Sequence, residues 1–462
     1  MIKQFLDKHF DGKRVAILGF GLEGRSTYGL LRSYFPEMEI IICDQNAEII
    51  KKNQDLSSDK RLKLSLGGGY LNGLEGAEVI MKAPGIPFRE LEGVKQSMIK
   101  TQTSIFLDIF RDQTVGITGT KGKSTTAALL HHIMQKGNKK TLLAGNIGTP
   151  CFDLLDQIDA DSIIVFEMSS HQLENLERSP HIAVFLNVFK EHLDHYDSYE
   201  SYQQAKMNIV RWQQRGDLLF YYPENAIIKN LLQPYKFLAI PVVLATASVS
   251  GNCVFLDGGK VIVKKNDVQT VIPKVVTNRL LSGKHNLVNI MAACGVASYL
   301  GLSSDDVAKA AVSFTGLPHR MEYVGTYQGV RYINDSIATV PEAVIEALKA
   351  FPDTEALILG GKDRGLDYTD MIGFIAKSEV KNLFFIGDAG KRMHQLTDND
   401  PAFNEKLCIL SSSFEEAIQL AVGNTPPGKT VLLSPAASSY DMFRDFKERG
   451  ERFKALVANY AG

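Results

Sequence analysis

The chain has 462 residues, 45% hydrophobic and 22% charged, an ordinary globular mix that excludes a disordered or fibrous protein. At roughly 150 residues per domain, the length predicts about three domains. Fifty-one lysines and arginines against 52 aspartates and glutamates leave a net charge of −1. No nucleic-acid partner is therefore expected, although a locally basic pocket for a small anion is compatible with this balance. Cys43, Cys151, Cys253, Cys294 and Cys408 are scattered without a CxxC pair, the pattern of reduced thiols in a cytoplasmic protein. The start, MIKQFLDKHFDGKR, has no apolar stretch of the secretory kind. The longest uncharged run, residues 237–256, contains Pro241, Thr246, Ser248, Ser250, Gly251 and Asn252. It is too broken for a bilayer span, so no membrane partner is expected.

In chain order, VAILG (15–19), EIIICD (39–44) and EVIMKAPG (78–85) read as strands separated by helical stretches. Such alternation predicts a parallel sheet with right-handed crossovers. A second unit starts near Gln102. It has a strand at TVGIT (114–118), a glycine turn, a helix over STTAALLHHIMQK, and strands at SIIVFEM (162–168), HIAVFLNV (181–188) and DLLFYY (217–222). Residues 240–275, with CVFLDGGKVIVKK, predict an appended hairpin. A helical pattern resumes at HNLVNIMAACGVASYLG. Past Gly316, strands at GVRYIND (329–335), ALILGG (356–361), NLFFIG (382–387) and TVLLSP (430–435) predict a third α/β unit. The expected fold class is α/β in three domains. These are a Rossmann-like N-terminal domain (1–101), a central P-loop-type ATP-binding domain (102–316) and a C-terminal Rossmann-like domain (317–462).

Two glycine loops follow strands and open helices. GFGLEG (19–24) fits G-x-G-x-x-G, and Asp44 lies 20 residues beyond Gly24. That spacing suits a dinucleotide, another diphosphate-containing ligand, or simply close strand–helix packing. GTKGKSTT (119–126) departs from G-x-x-x-x-G-K-[ST], because Ile117 stands where the first glycine is required. What stands is G-x-x-G-K-S between strand and helix. Lys123 would neutralise phosphate charge, a Ser124 or Thr125 hydroxyl would reach Mg²⁺, and backbone N–H groups would cradle oxygens. EMSS (167–170) places Glu167 at a strand's end, where a second metal contact is expected. In NVFKEHLDHYDS (187–198), helical spacing would put His192 and His195 on adjacent parts of one face. This is a weak zinc pattern, but it follows a strand's C-terminal end. In the last third, YINDSIAT, LGGKDRG and SPAASSYDMF follow or end strands. They bring Asp335, Thr339, Arg364 and Ser439 to one sheet edge, where Arg364 could hold a carboxylate.

In this order, GTKGKSTT, EMSSHQLE, HLDHY, SGKHNLVNIMAA, GLPHRME, NDS, LGGKDRG and LLSPAASSYD resemble the Mur ligase family of peptidoglycan precursor synthesis, and within it the glutamate-adding members. The resemblance spans essentially the whole chain. It implies that the first glycine loop binds the UDP part of a nucleotide-sugar, with Gly21, Leu22, Asp44 and Gly85 around it and Asn146 at the sugar or its lactoyl arm. It implies ATP at Gly119, Thr120, Lys121, Gly122, Lys123, Ser124 and Thr125, with Asn286 and Asn289 near the adenine and Arg320 and Asp335 approaching from the C-terminal domain. It carries Mg²⁺ chemistry to Ser124, Glu167, His192 and a carbamylated Lys206. Lys123, Glu167, His192 and Lys206 are then the catalytic set. The acceptor glutamate falls to Thr339, Arg364, Ser439 and Phe446.

The implied chemistry is ATP-dependent formation of an amide bond. ATP converts an L-alanyl carboxylate to an acyl phosphate, which glutamate's amine then attacks. One segment departs from the pattern of D-glutamate-adding members. NDSIATV carries Ile337 and Val340 where those members have a lysine and an asparagine, which is similar to a variant subgroup that uses L-glutamate. A folylpolyglutamate-synthetase-like ligase would lack GFGLEG. An NAD-dependent oxidoreductase would leave GTKGKSTT unexplained. A non-catalytic ATP-gated binding protein would tolerate loss of Lys206 and His192. The expected state is a monomer acting on small molecules.

Overall fold

Short runs of β-branched and aliphatic residues alternate with amphipathic helices, and the runs pair into three sheets. The computed structural model describes residues 2–49, 54–192, 195–278, 281, 286–398 and 400–461. The first sheet holds β1 (Val15–Leu18), β2 (Ile40–Asp44), β3 (Leu62–Leu66), β4 (Val79–Lys82) and β5 (Ile99–Lys100) in the order β3-β2-β1-β4-β5, all parallel. The order reverses at β1, so the loops after β1 and β4 flank the crevice where open parallel sheets bind ligands.

The second sheet holds β6 (Thr114–Thr118), β7 (Thr141–Gly145), β8 (Ile163–Glu167), β9 (Ile182–Phe185), β10 (Leu218–Tyr221), β11 (Ile240–Ala245), β12 (Cys253–Asp257), β13 (Lys260–Lys265) and β14 (Val268–Ile272). Its order is β14-β13-β12-β11-β10-β9-β6-β8-β7. The hairpin expected over 240–275 is part of a longer extension. β11 and β12 continue the parallel sheet, and only β12, β13 and β14 run antiparallel. Gly258 and Gly259 (φ 52° and 81°) make the two-residue turn between β12 and β13, the geometry that matches strand twist.

The third sheet holds β15 (Glu322–Tyr327), β16 (Val330–Asn334), β17 (Thr354–Gly360), β18 (Asn382–Ile386), β19 (Leu407–Leu410) and β20 (Thr430–Leu433) in the order β15-β16-β20-β17-β18-β19. β15 is antiparallel to β16 and the rest is parallel. The chain divides into two compact units, one carrying the first two sheets and the other the third.

β3, β5, β7, β15 and β19 lie outside the strands that the sequence pattern predicts. β3, β15 and β19 are half-exposed and lie at or near a sheet edge, so their apolar pattern is diluted. The helical spacing expected for His192 and His195 is not met. His192 has φ 59° and sits in a loop, a left-handed conformation that a helix cannot propagate. Leu193 and Asp194 of HLDHY, and residues 282–285 of SGKHN, lie outside the described residues.

Candidate functional site

The loop after β6 turns on Gly122, whose φ of 87° suits glycine. A Cβ there would also run into the Asn289 side-chain amide. The Lys123–Lys136 helix follows directly, so its free N–H groups point at the loop. Asn187 braces the turn from β9's end, accepting from Lys121 N and donating to Lys121 O, both at 2.9 Å. Thr120 Oγ1 pairs with Tyr202 OH at 2.8 Å. Thr125 is buried in the helix's first turn.

Two lysine side chains converge here. Lys123 Nζ donates to Gly119 O (2.9 Å) and Thr120 O (3.0 Å). Lys206 Nζ, on the Tyr199–Arg211 helix, donates to the same Gly119 O at 2.9 Å. Lys206 is only 1% exposed. Burial, and then the nearby Lys123 charge, hold its amine well below the usual lysine range. Opposite them, Glu167 is fully buried at the end of β8. Its Oε1 accepts from Ser124 Oγ (3.1 Å) and Asn146 Nδ2 (3.3 Å). Its Oε2 is buried with no protein partner, a costly arrangement that an added cation would relieve.

No cluster of three His, Cys, Asp or Glu side chains placed to hold a metal occurs among the described residues. A metal here would rest on Ser124, Glu167 and ligand oxygens, the donor set magnesium takes beside phosphates. The donor chemistry and the orphaned Oε2 fit that ion.

His192 belongs to a different grouping. His171 packs edge-on against His192 (4.8 Å between centroids) and His195 (4.1 Å). Burial, with the neighbouring His195, His192, Lys82 and Lys206 charges, pushes His171 down to about 3. His195 pairs with Glu174 at 3.1 Å. Asn286 and Asn289 share a 2.8 Å bond at the start of the Asn286–Tyr299 helix. Asn289 thus abuts the glycine turn itself.

In the first sheet, Asp44 Oδ2 accepts from Phe20 N at 2.6 Å, so the carboxylate expected at the ligand also buttresses its loop. A Cβ at Gly24 would run into Gly19 O, which explains this glycine by close strand–helix packing. Gly21 and Gly85 have open space beside them, and Leu22 is 61% exposed.

In the other unit, Asp335 ends up buried beyond β16. It accepts from Met321 N (3.1 Å) and Ser434 Oγ (2.9 Å). Burial raises its carboxyl to about 7 against these bonds and the Arg320 charge. Arg320 is exposed. Arg364 Nη2 donates to Thr339 O at 2.6 Å, which joins two of the expected acceptor residues. Ser439 is buried and Phe446 is half-buried, its ring 6.0 Å from that of His319.

Sequence reasoning missed Arg449. It is fully buried and reaches Ser336 Oγ (3.0 Å), Ser336 O (2.8 Å) and Ala437 O (3.1 Å). It thereby ties the NDSIAT loop to the SPAASS loop. Its signal is an arginine set between Phe446, Phe453 and Leu456 at helical spacing on the Phe446–Ala461 helix, where an apolar residue would otherwise face the core.

Known proteins match this arrangement. Residues 117–297 match the Mur ligase middle domain, and residues 319–437 match the Mur ligase, glutamate ligase domain. A UDP-N-acetylmuramoylalanine--D-glutamate ligase of Desulfitobacterium hafniense is 34% identical over 97% of this chain and 98% of its own. One from Acetivibrio thermocellus is 31% identical over 97% of each. Among solved structures, the UDP-N-acetylmuramate-alanine ligase MurC of Thermotoga maritima shares the fold, with a TM-score of 0.54 at 16% identity over 97% of this chain and 99% of that one. The MurF ligase of Thermotoga maritima in complex with ADP does so at 0.51 and 19% identity, over 85% and 91%. With full-length relatives above 30% identity, two matching domains and a phosphate loop of this construction, the chain belongs to the Mur ligase family of ATP-dependent ligases.

Proposed function

We propose that the protein joins D-glutamate to UDP-N-acetylmuramoyl-L-alanine, using ATP and passing through an acyl phosphate. The observation that carries this reading is the convergence of Lys123, Lys206, Ser124 and Glu167 on one phosphate loop, in a chain whose full-length relatives bear that name. The γ-phosphoryl group would pass to the L-alanyl carboxylate oxygen. The amine of glutamate would then attack the acyl carbon, phosphate would leave, and an amide would form. Lys123 would spread the charge that builds on the transferring phosphoryl group, with the loop's N–H groups already pointing at it. Magnesium held by Ser124 and Glu167 would neutralise phosphate charge.

Lys206 supports a further part of the reading. Burial favours the uncharged amine of Lys206, and carbamylation of that amine by CO₂ would turn it into an anionic ligand for a second ion, with His192 nearby in the loop after β9. In the N-terminal sheet, Gly21, Leu22, Asp44 and Gly85 would take the UDP group, and Asn146 the sugar or lactoyl arm. Asn286 and Asn289 would lie towards the adenine. Arg320 and Asp335 would serve the nucleotide, while Thr339, Arg364, Ser439 and Phe446 would take the acceptor. A monomer in the cytoplasm fits these roles, and among the described residues no helix is long and apolar enough to cross a membrane.

Ile337 and Val340 favour a second reading, in which L-glutamate is the acceptor. Neither offers a charge or an amide beside Thr339, so Arg364 would carry more of the carboxylate recognition. Phosphate release with ATP, Mg²⁺ and UDP-N-acetylmuramoyl-L-alanine, run with each glutamate enantiomer, decides between them. Release with D-glutamate alone supports the first reading, and release with L-glutamate alone replaces it by the second. Silence with both removes the ligase assignment at this substrate.

A further inference from the structure

Lys82 closes β4 and is only 2% exposed. Its Nζ donates to Ala83 O (3.2 Å) and Ile86 O (2.6 Å) and lies 4.5 Å over the Phe88 ring. The two carbonyls are the ends of one turn, closed by Ile86 N to Ala83 O at 3.3 Å, and Gly85 stands at its exposed bend. The same turn presses on the first glycine loop. A Cβ on Gly19 would lie 2.9 Å from Ala83 Cβ and 3.0 Å from Ile86 Cδ1. The ammonium therefore braces one lip of the crevice at β1 and β4 and sets its spacing from the other.

Its charge is not consumed locally. Glu174, Glu23 and Glu90 act on it in that order, and His171 also senses it. Glu174 is held on His195 (3.1 Å) and Glu90 on Tyr70 (2.6 Å), while Glu23 gives one oxygen to Gln172 (2.8 Å) and its other oxygen is buried without a protein partner. No ion pair joins Lys82 to a carboxylate among the described residues. A buried ammonium of this kind is stabilised by any anion that settles nearby.

We infer that Lys82 is a positioning residue for the nucleotide-sugar, holding the Ala83–Ile86 turn in its binding shape and placing a buried positive charge behind the diphosphate. This rests on the reading that the first sheet binds a UDP-linked substrate. Burial leaves the free ammonium at about 8. A bound dianion raises that value, so binding near pH 8 takes up protons.

The test is calorimetric binding of UDP-N-acetylmuramoyl-L-alanine without ATP, at pH 8 in buffers of different ionisation heat, for wild type, Lys82→Met and Lys82→Arg. A non-hydrolysable ATP analogue measures the second loop in the same proteins. Lys82→Met is expected to weaken nucleotide-sugar binding by about tenfold or more while analogue binding is unchanged. Lys82→Arg restores most of the affinity but not the proton uptake seen in wild type. Wild-type affinity in Lys82→Met, equal loss of both ligands, or wild-type binding without proton uptake overturns the inference. Failure of wild type to bind the nucleotide-sugar, with the analogue still bound, overturns the UDP reading and this inference with it.

Discussion

The two glycine loops of the first unit are built alike and surrounded differently. Both leave a parallel strand at a point where strand order reverses, and both open a helix. Around the first, Asp44 takes Phe20 N, and Glu23 lies in the helix's first turn. Around the second, Lys123 and Lys206 donate to Gly119 O, and Lys121 pairs with Glu191 at 2.7 Å. A strand–glycine–helix turn supplies N–H groups and little else. The side chains that close over it set its charge: Asp44, Glu23 and the buried Lys82 at the first loop, Lys123, Lys206 and Lys121 at the second.

The largest expected effect breaks the second loop. Lys123→Ala should lower kcat by about 10²–10³-fold while leaving nucleotide-sugar binding in place, as stopped assays and calorimetry on one preparation would show. Equal kcat would mean that this loop does not serve phosphoryl transfer.

The next pair compares the loops by the same change. Gly122→Ala puts a methyl group into the Asn289 amide at φ 87°, and Gly24→Ala puts one into Gly19 O. Each is expected to cost about 1–3 kcal/mol in denaturant unfolding. Gly122→Ala should weaken the ATP analogue and Gly24→Ala the nucleotide-sugar. A crossed result would exchange the two ligand assignments.

Glu167→Gln separates function from stability. It removes a buried carboxylate whose Oε2 has no protein partner, so activity should fall sharply while Tm holds or rises. A clear drop in Tm would make Glu167 a structural residue.

The smallest effect lies in the other unit. The Asp335 carboxyl is raised to about 7 from 3.8, so the folded chain binds a proton there that the unfolded chain releases earlier. Its contribution is full below about pH 4 and is lost as pH rises through about 7. Asp335→Asn should gain stability over wild type at pH 8 and little at pH 4. Tm curves that stay parallel across this range would show that the carboxyl is not raised.

Much of this molecule was legible beforehand. β1, β6, β8, β17 and β20 are near-continuous apolar runs buried on both faces, which is why pattern alone finds them. The glycine turn after β6 and the carboxylate at the end of β8 are legible because their placement depends on chain order, strand then glycine then helix. β3, β15 and β19 were not, since half-exposed strands near an edge owe their pairing to a neighbour rather than to their own residues.

The sequence by itself determined the α/β class, the two glycine loops and the family, because strands, turns and motifs are properties of contiguous residues. Only the tertiary structure decided that His192 and His195 meet through His171 across a loop instead of along a helix. It also decided that Lys206 is a buried amine on Gly119 O, that Arg449 binds two loops, and that Lys82 braces a turn. For Lys206 and Arg449 the partners come from elements far apart in the chain, and for Lys82 the turn is local but the burial and the surrounding carboxylates are not. Desolvation, which sets the charge state of these groups, is a property of what packs around a side chain and is not written beside it in the sequence.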